Sequence, residues 1–172
     1  MPEYKNEGWT INQGSLDWLI KTVKAKSENP KILEFGSGNS TIYFADSGIK
    51  VVSVEHNKQY LPVHPNVTSI YSPTENRWYT IPPEHILGLS KEYGPFDGIV
   101  IDGPTGAIGR WTILRYLHYL YPDGFLPTLV DDVNRDNENC MMIGISTAYR
   151  TEIEIISKNN SKCAHLWVEN KV

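Results

Sequence analysis

Cysteine is scarce: the 172 residues contain only Cys140 and Cys163, and neither belongs to a C-x-x-C pair. Neither a disulfide framework nor a zinc site is therefore expected. Long apolar runs are missing too. Nowhere do about 18 apolar residues follow one another, and Met1-Pro-Glu-Tyr-Lys-Asn-Glu-Gly-Trp9 has no apolar core of signal-peptide length. The expectation is a cytoplasmic protein without a membrane anchor. Basic residues form no cluster or stripe and the net charge is -4, so nucleic acid finds little to hold by its phosphates. No repeat or low-complexity segment is present. What remains is a chain with 40% hydrophobic and 21% charged residues, the balance of a folded domain, and a length that suits a single domain over 1–172.

The informative stretch is Lys31-Ile-Leu-Glu34-Phe-Gly36-Ser37-Gly38-Asn-Ser40-Thr41. Ile32 to Phe35 is a short apolar run with one carboxylate. Gly36-Ser37-Gly38 breaks it, and Asn39-Ser40-Thr41 supplies capping residues for a helix through Ile42–Ala45. Strand, glycine turn and helix start together bring backbone N–H groups close to a polar ligand. The next strand, Lys50–Val54, ends at Glu55, where nucleotide-binding α/β proteins place an acid for ribose hydroxyls. A nucleoside-type cofactor is the expectation. A dinucleotide fingerprint wants a third small residue where this chain has Thr41, and Glu34 would repel a pyrophosphate while suiting an ammonium group.

Glu34-x-Gly36-x-Gly38 followed by Glu55 resembles motifs I and II of the class I S-adenosylmethionine-dependent methyltransferases. The resemblance implies that Glu34, Gly36, Ser37, Gly38, Ser40 and Thr41 receive the methionine part of S-adenosyl-L-methionine, and that Glu55, flanked by His56, holds its ribose.

Along the chain, Ser15–Lys26 has the apolar spacing of an amphipathic helix, and Val67–Tyr71 reads as a third strand after a proline-broken connection over 60–65. Residues 72–95 carry four prolines and the aromatics Trp78 and Tyr79 and read as a functional loop or lid, the aromatics covering adenine, stacking on a sugar or packing in the core. Phe96–Ile101 is a fourth strand ending at Asp102. Ile108–Tyr121 reads as a helix, Phe125–Val130 as a fifth strand ending at Asp131-Asp132, and Asn137–Tyr149 as another helix. Two period-two runs, 151–157 and 163–168, form a terminal hairpin around a polar turn. Helix-separated parallel strands closed by such a hairpin are the arrangement associated with these methyltransferases. The expected fold is thus α/β, a Rossmann-like three-layer sandwich whose mostly parallel seven-stranded sheet ends in an antiparallel hairpin, with strand order 3-2-1-4-5-7-6.

In that order the fourth and fifth strands are neighbours, so Asp102, Asp131 and Asp132 converge at strand ends, where open α/β sheets bind ligands. A hard divalent cation, Mg²⁺, Mn²⁺ or Co²⁺, would relieve their repulsion, and the spacing resembles metal-dependent O-methyltransferases. Consecutive strand residues point to opposite faces, so Asp131 and Asp132 can both be ligands only if the strand has bent. Otherwise one acid caps the next helix and Asp102 is a general base without metal.

Asp102-Gly-Pro-Thr-Gly106, Gly109-Arg110 and Asp132-Val-Asn-Arg135 also look like the plant polysaccharide family that includes glucuronoxylan 4-O-methyltransferases. The chain departs from it in Asp131, where a histidine is expected, and in the absence of a membrane anchor. Arg110, after a glycine-rich loop, is expected at the rim of the cleft to read an acceptor carboxylate.

The leading expectation is an enzyme transferring methyl to a hydroxyl of a sugar, uronic acid or other small acceptor. An NAD-dependent oxidoreductase and a non-catalytic binding module stand as alternatives. His64, His85, His118 and His165 read as satisfied surface or core residues, and nothing speaks to oligomeric state.

Overall fold

In the computed structural model, which describes residues 10–158 and 161–168, helices and strands alternate from the start. α1 (Gln13–Lys26) begins where the Asn12 side chain accepts the Gly14 N–H at 2.8 Å, and β1 (Lys31–Phe35), α2 (Asn39–Asp46) and β2 (Lys50–Glu55) follow. A 3₁₀ turn at Lys58–Tyr60 leads to β3 (Val67–Tyr71). Next come the short strands β4 (Thr74–Glu75) and β5 (Trp78–Tyr79), then α3 (Pro83–Tyr93) and β6 (Gly98–Ile101). A 3₁₀ segment, Trp111–Tyr116, runs into α4 (Leu117–Leu120), and β7 (Thr128–Val130), α5 (Asp136–Tyr149), β8 (Glu152–Lys158) and β9 (Ser161–Trp167) complete the described chain.

The main sheet has the order β3-β2-β1-β6-β7-β9-β8, which is the expected order once the two short strands are set aside. β3, β2, β1, β6 and β7 are parallel, while β9 runs antiparallel between β7 and β8. The expected terminal hairpin is therefore present; part of its turn, residues 159 and 160, lies outside the described residues.

Strand alternation divides the core. From β1, Leu33 and Phe35 face one cluster with Ile86 and Leu89 of α3, Leu120 of α4 and Met141 and Ile145 of α5. Ile32 faces the other, with Leu16, Leu19 and Val23 of α1 and Phe44 of α2. Glu34 lies on the α2 side by the same alternation, which puts a carboxylate inside an apolar layer.

Two expectations are corrected. Residues 72–95 are not one irregular loop: they contain the β4–β5 hairpin and α3, and of the alternatives for Trp78 and Tyr79 the structure shows core packing, against Phe35 with ring centroids at 5.4 and 5.9 Å. The prolines that suggested a loop sit where a helix tolerates them, Pro82 as the N-cap and Pro83 in the first turn. The helix expected over 108–121 is a 3₁₀ segment with a single short α-turn behind it. Leu114, Leu117 and Leu120 are three apart, a spacing that the tighter 3₁₀ winding aligns as well as an α-helix does.

Candidate functional site

The ends of β1 and β6 meet backbone to backbone. Gly36 has φ +95, and a Cβ there would lie 2.7 Å from Gly103 N and 2.8 Å from the Asp102 carbonyl carbon, so only glycine fits. Gly38 is different: its backbone is extended, φ 177, and a Cβ would meet nothing within 4 Å. The turn is tied to β2, because Ser37 N–H donates to Glu55 Oε2 at 2.9 Å and Ser37 Oγ lies 2.7 Å from Ser53 Oγ. Glu55, itself buried, also accepts the Asn57 N–H at 2.7 Å, with His56 Nδ1 at 2.8 Å. The sequence-selected Gly36, Ser37, Gly38, Glu55 and His56 thus share one end of the sheet.

Glu34 does not present its charge to the turn as expected. It is fully buried; Ser40 donates to Oε1 at 2.9 Å, and Thr41 and Ser53 donate to Oε2 at 2.6 and 2.9 Å. Thr41 Oγ1 in turn accepts the Gly38 N–H at 2.9 Å, so Glu34, Ser40 and Thr41 hold the turn and the start of α2 from beneath. Burial, reinforced by the Glu55 charge and opposed by the three hydroxyls, pushes the Glu34 carboxyl from 4.5 to about 7. A carboxyl raised by folding binds its proton more tightly in the native state. Its contribution is complete below pH 4.5 and is lost as pH rises through about 7. We expect Glu34→Gln to remove about 3 kcal/mol of that decline. Urea unfolding of both proteins at several pH values between 4.5 and 8 measures it; parallel pH profiles would refute the assignment.

At the ends of β6 and β7, carboxylate oxygens of Asp102, Asp131 and Asp132 lie within 4.8 Å of one another. The bend on which this convergence depended is present: β7 stops at Val130, and Asp132 takes the left-handed conformation, φ 62, which aspartate tolerates. Asp131 is buried and its Oδ1 accepts from the Cys163 thiol at 2.7 Å. Asp102 keeps its side chain 22% exposed. Desolvation, then the Asp131 charge, raise the Asp102 carboxyl well above the usual range against the opposing pull of Arg110.

Arg110 is not at the rim. Its side chain is 3% exposed and lies among the acids, with Nη2 at 3.2 Å from Asp102 Oδ1 and 2.9 Å from Asp132 Oδ2. Nε donates to the Pro104 carbonyl at 2.9 Å and Nη1 to that of Asp131 at 3.2 Å. A guanidinium with every nitrogen engaged inside the protein is placed to set the acids, not to reach for an acceptor carboxylate. Arg135 adds a second cation, 2.8 Å from Asp132 Oδ2.

The sequence reading missed Cys163 as a partner of Asp131, because β9 comes last in the chain and only the sheet order brings it beside β7. It also missed the hydroxyl of Tyr79, which lies against Gly103.

No family model matches the chain, and no curated protein matches it by sequence. Solved structures do match. Cofactor-bound Rv0187 from MTB superposes with TM-score 0.62 at 15% identity, over 98% of this chain and 85% of that one. The fold is that of the S-adenosylmethionine-dependent methyltransferases. SAH-bound methyltransferase PaMTH1 of Podospora anserina matches with TM-score 0.59 at 16% identity, over 94% of this chain and 81% of its own. A putative caffeoyl-CoA O-methyltransferase from Staphylococcus aureus gives 0.55 at 13%, over 91% and 84%. The plant polysaccharide likeness has no counterpart among these structures. No described helix is long and apolar enough to cross a membrane.

Proposed function

We propose that this chain, as one methyltransferase domain, transfers methyl from S-adenosyl-L-methionine to a hydroxyl of a sugar, uronic acid or other small acceptor. The observation that carries the reading is the juxtaposition of the open glycine turn at Gly38 with the three carboxylates on the adjoining strand ends. The cradle suits the cofactor: a Cβ at Gly38 would fill space that a ligand can use, and Glu55 closes the side of β2 where a ribose would lie. Once bound, the cofactor supplies an electrophilic methyl on a sulfonium leaving group, so the protein has to align the acceptor oxygen and remove one proton.

Without a metal, Asp102 is the group for that proton. It is partly open, and desolvation together with the Asp131 charge makes its carboxylate more basic than usual. In the leading reading a divalent cation, Mg²⁺, Mn²⁺ or Co²⁺, assists. Asp102, Asp131 and Asp132 would hold it through hard oxygen donors, and it would lower the pKa of the acceptor hydroxyl. A metal-independent reading is favoured by one observation: Arg110 and Arg135 already offset much of the charge of the three acids.

Methyl transfer from labelled cofactor to neutral sugars, uronic acids and phenols, with and without exhaustive chelation, tests both. Transfer to a hydroxyl acceptor that stops on chelation and returns with Mn²⁺ supports the metal reading. Undiminished transfer leaves Asp102 acting as base alone. Cofactor binding without transfer to any acceptor would make the chain a binding module.

A further inference from the structure

We propose that Tyr79 is a cofactor-binding residue whose hydroxyl donates a hydrogen bond to the carboxylate at the amino-acid end of S-adenosylmethionine. The inference rests on the cofactor reading above. Tyr79 is 3% exposed, and its ring is fixed by Phe35, Trp78 and His56, with centroids at 5.9, 5.2 and 6.2 Å. A Cβ built on Gly103 would run into Tyr79 Oη and into Gly36 N and Cα, so the hydroxyl sits at the seam where the ends of β1 and β6 touch. Among the described residues this buried hydroxyl has no hydrogen-bond partner. Such an unmatched donor is costly in a folded protein unless something arrives to accept from it.

The surroundings decide what that acceptor is. The charged groups that act on the phenol are Glu55, Arg110, Asp102 and Glu34. Three of them are acids, so a carboxylate entering beside them needs a donor. The nearby N–H groups of the turn are spent, Ser37 on Glu55 and Gly38 on Thr41, and Arg110 is committed to the acids and carbonyls around it. Tyr79 Oη is an unspent donor at the seam between the glycine turn and the strand end that carries Asp102. Burial, and then the charge of Glu55, keep the phenol protonated, as a donor must be.

The test compares wild type and Tyr79→Phe by calorimetry with two probes, S-adenosylhomocysteine and 5′-methylthioadenosine; the second lacks the amino-acid end. The expected result is a loss of at least about tenfold in affinity for S-adenosylhomocysteine, the scale of a hydrogen bond to a charged group, and unchanged affinity for 5′-methylthioadenosine. Thermal unfolding without ligand should show Tyr79→Phe at or above the wild-type Tm, because no internal partner is lost. Equal affinity of both proteins for S-adenosylhomocysteine, equal loss on both probes, or a lowered Tm would each overturn the proposal. If wild type itself fails to bind S-adenosylhomocysteine, the cofactor reading falls first and the inference with it.

Discussion

Asp102→Asn should lower kcat by about 10²–10⁴-fold, the range associated with loss of a positioned general base, while changing affinity for S-adenosylhomocysteine by less than about twofold. The residue stands at the end of β6, its backbone N–H held by the Phe35 carbonyl at 2.8 Å, and its carboxylate is the most exposed of the three acids. Asparagine keeps the shape and can still meet Arg110, but it accepts no proton and is a poor ligand for a hard cation. The effect is therefore expected under both mechanisms, and it should exceed that of Asp131→Asn, whose carboxylate is buried against the Cys163 thiol. Single-turnover rates with saturating cofactor measure it. A variant with full activity would remove Asp102 from the chemistry.

The two glycines of the turn should fail in opposite ways. Gly36→Ala forces a methyl into backbone at 2.7–2.9 Å in a conformation, φ +95, that disfavours side chains. A loss of about 3 kcal/mol or more in folding stability is expected, from steric strain on top of the left-handed penalty. Gly38→Leu meets open space in an extended conformation, so the fold should survive with a cost within about 1 kcal/mol for the changed helix cap. The leucine would occupy the cradle, however, and S-adenosylhomocysteine binding should vanish. Thermal unfolding and calorimetry on both variants separate the two roles. A stable Gly36→Ala or a binding-competent Gly38→Leu would contradict the geometry.

The sheet was legible because its strands are short β-branched runs, and because the shift to period two at 151–157 marked the hairpin that inserts β9 beside β7. α3 was hidden by Pro82 and Pro83, since proline is a breaker inside a helix and a starter at its first turn, and sequence alone does not say which. Within the site, residue types were legible and directions were not. Glu34 was found as an acid next to the glycine turn, but strand alternation turned it inward to three hydroxyls. Arg110 was expected at the rim because it follows a glycine-rich loop that leaves Asp102; instead the guanidinium is drawn in by Asp102, Asp132 and two carbonyls. Such a network joins the stretch 102–110 to Asp131 and Asp132 on the next strand end, and no local spacing encodes the direction in which the guanidinium turns.

Calorimetric titration of the wild-type protein with S-adenosylhomocysteine and NAD in parallel tests the central claim most directly. Saturable binding of S-adenosylhomocysteine at one site per chain, with NAD bound weakly or not at all, is the expected result; tighter binding of NAD, or no binding of S-adenosylhomocysteine, would contradict it.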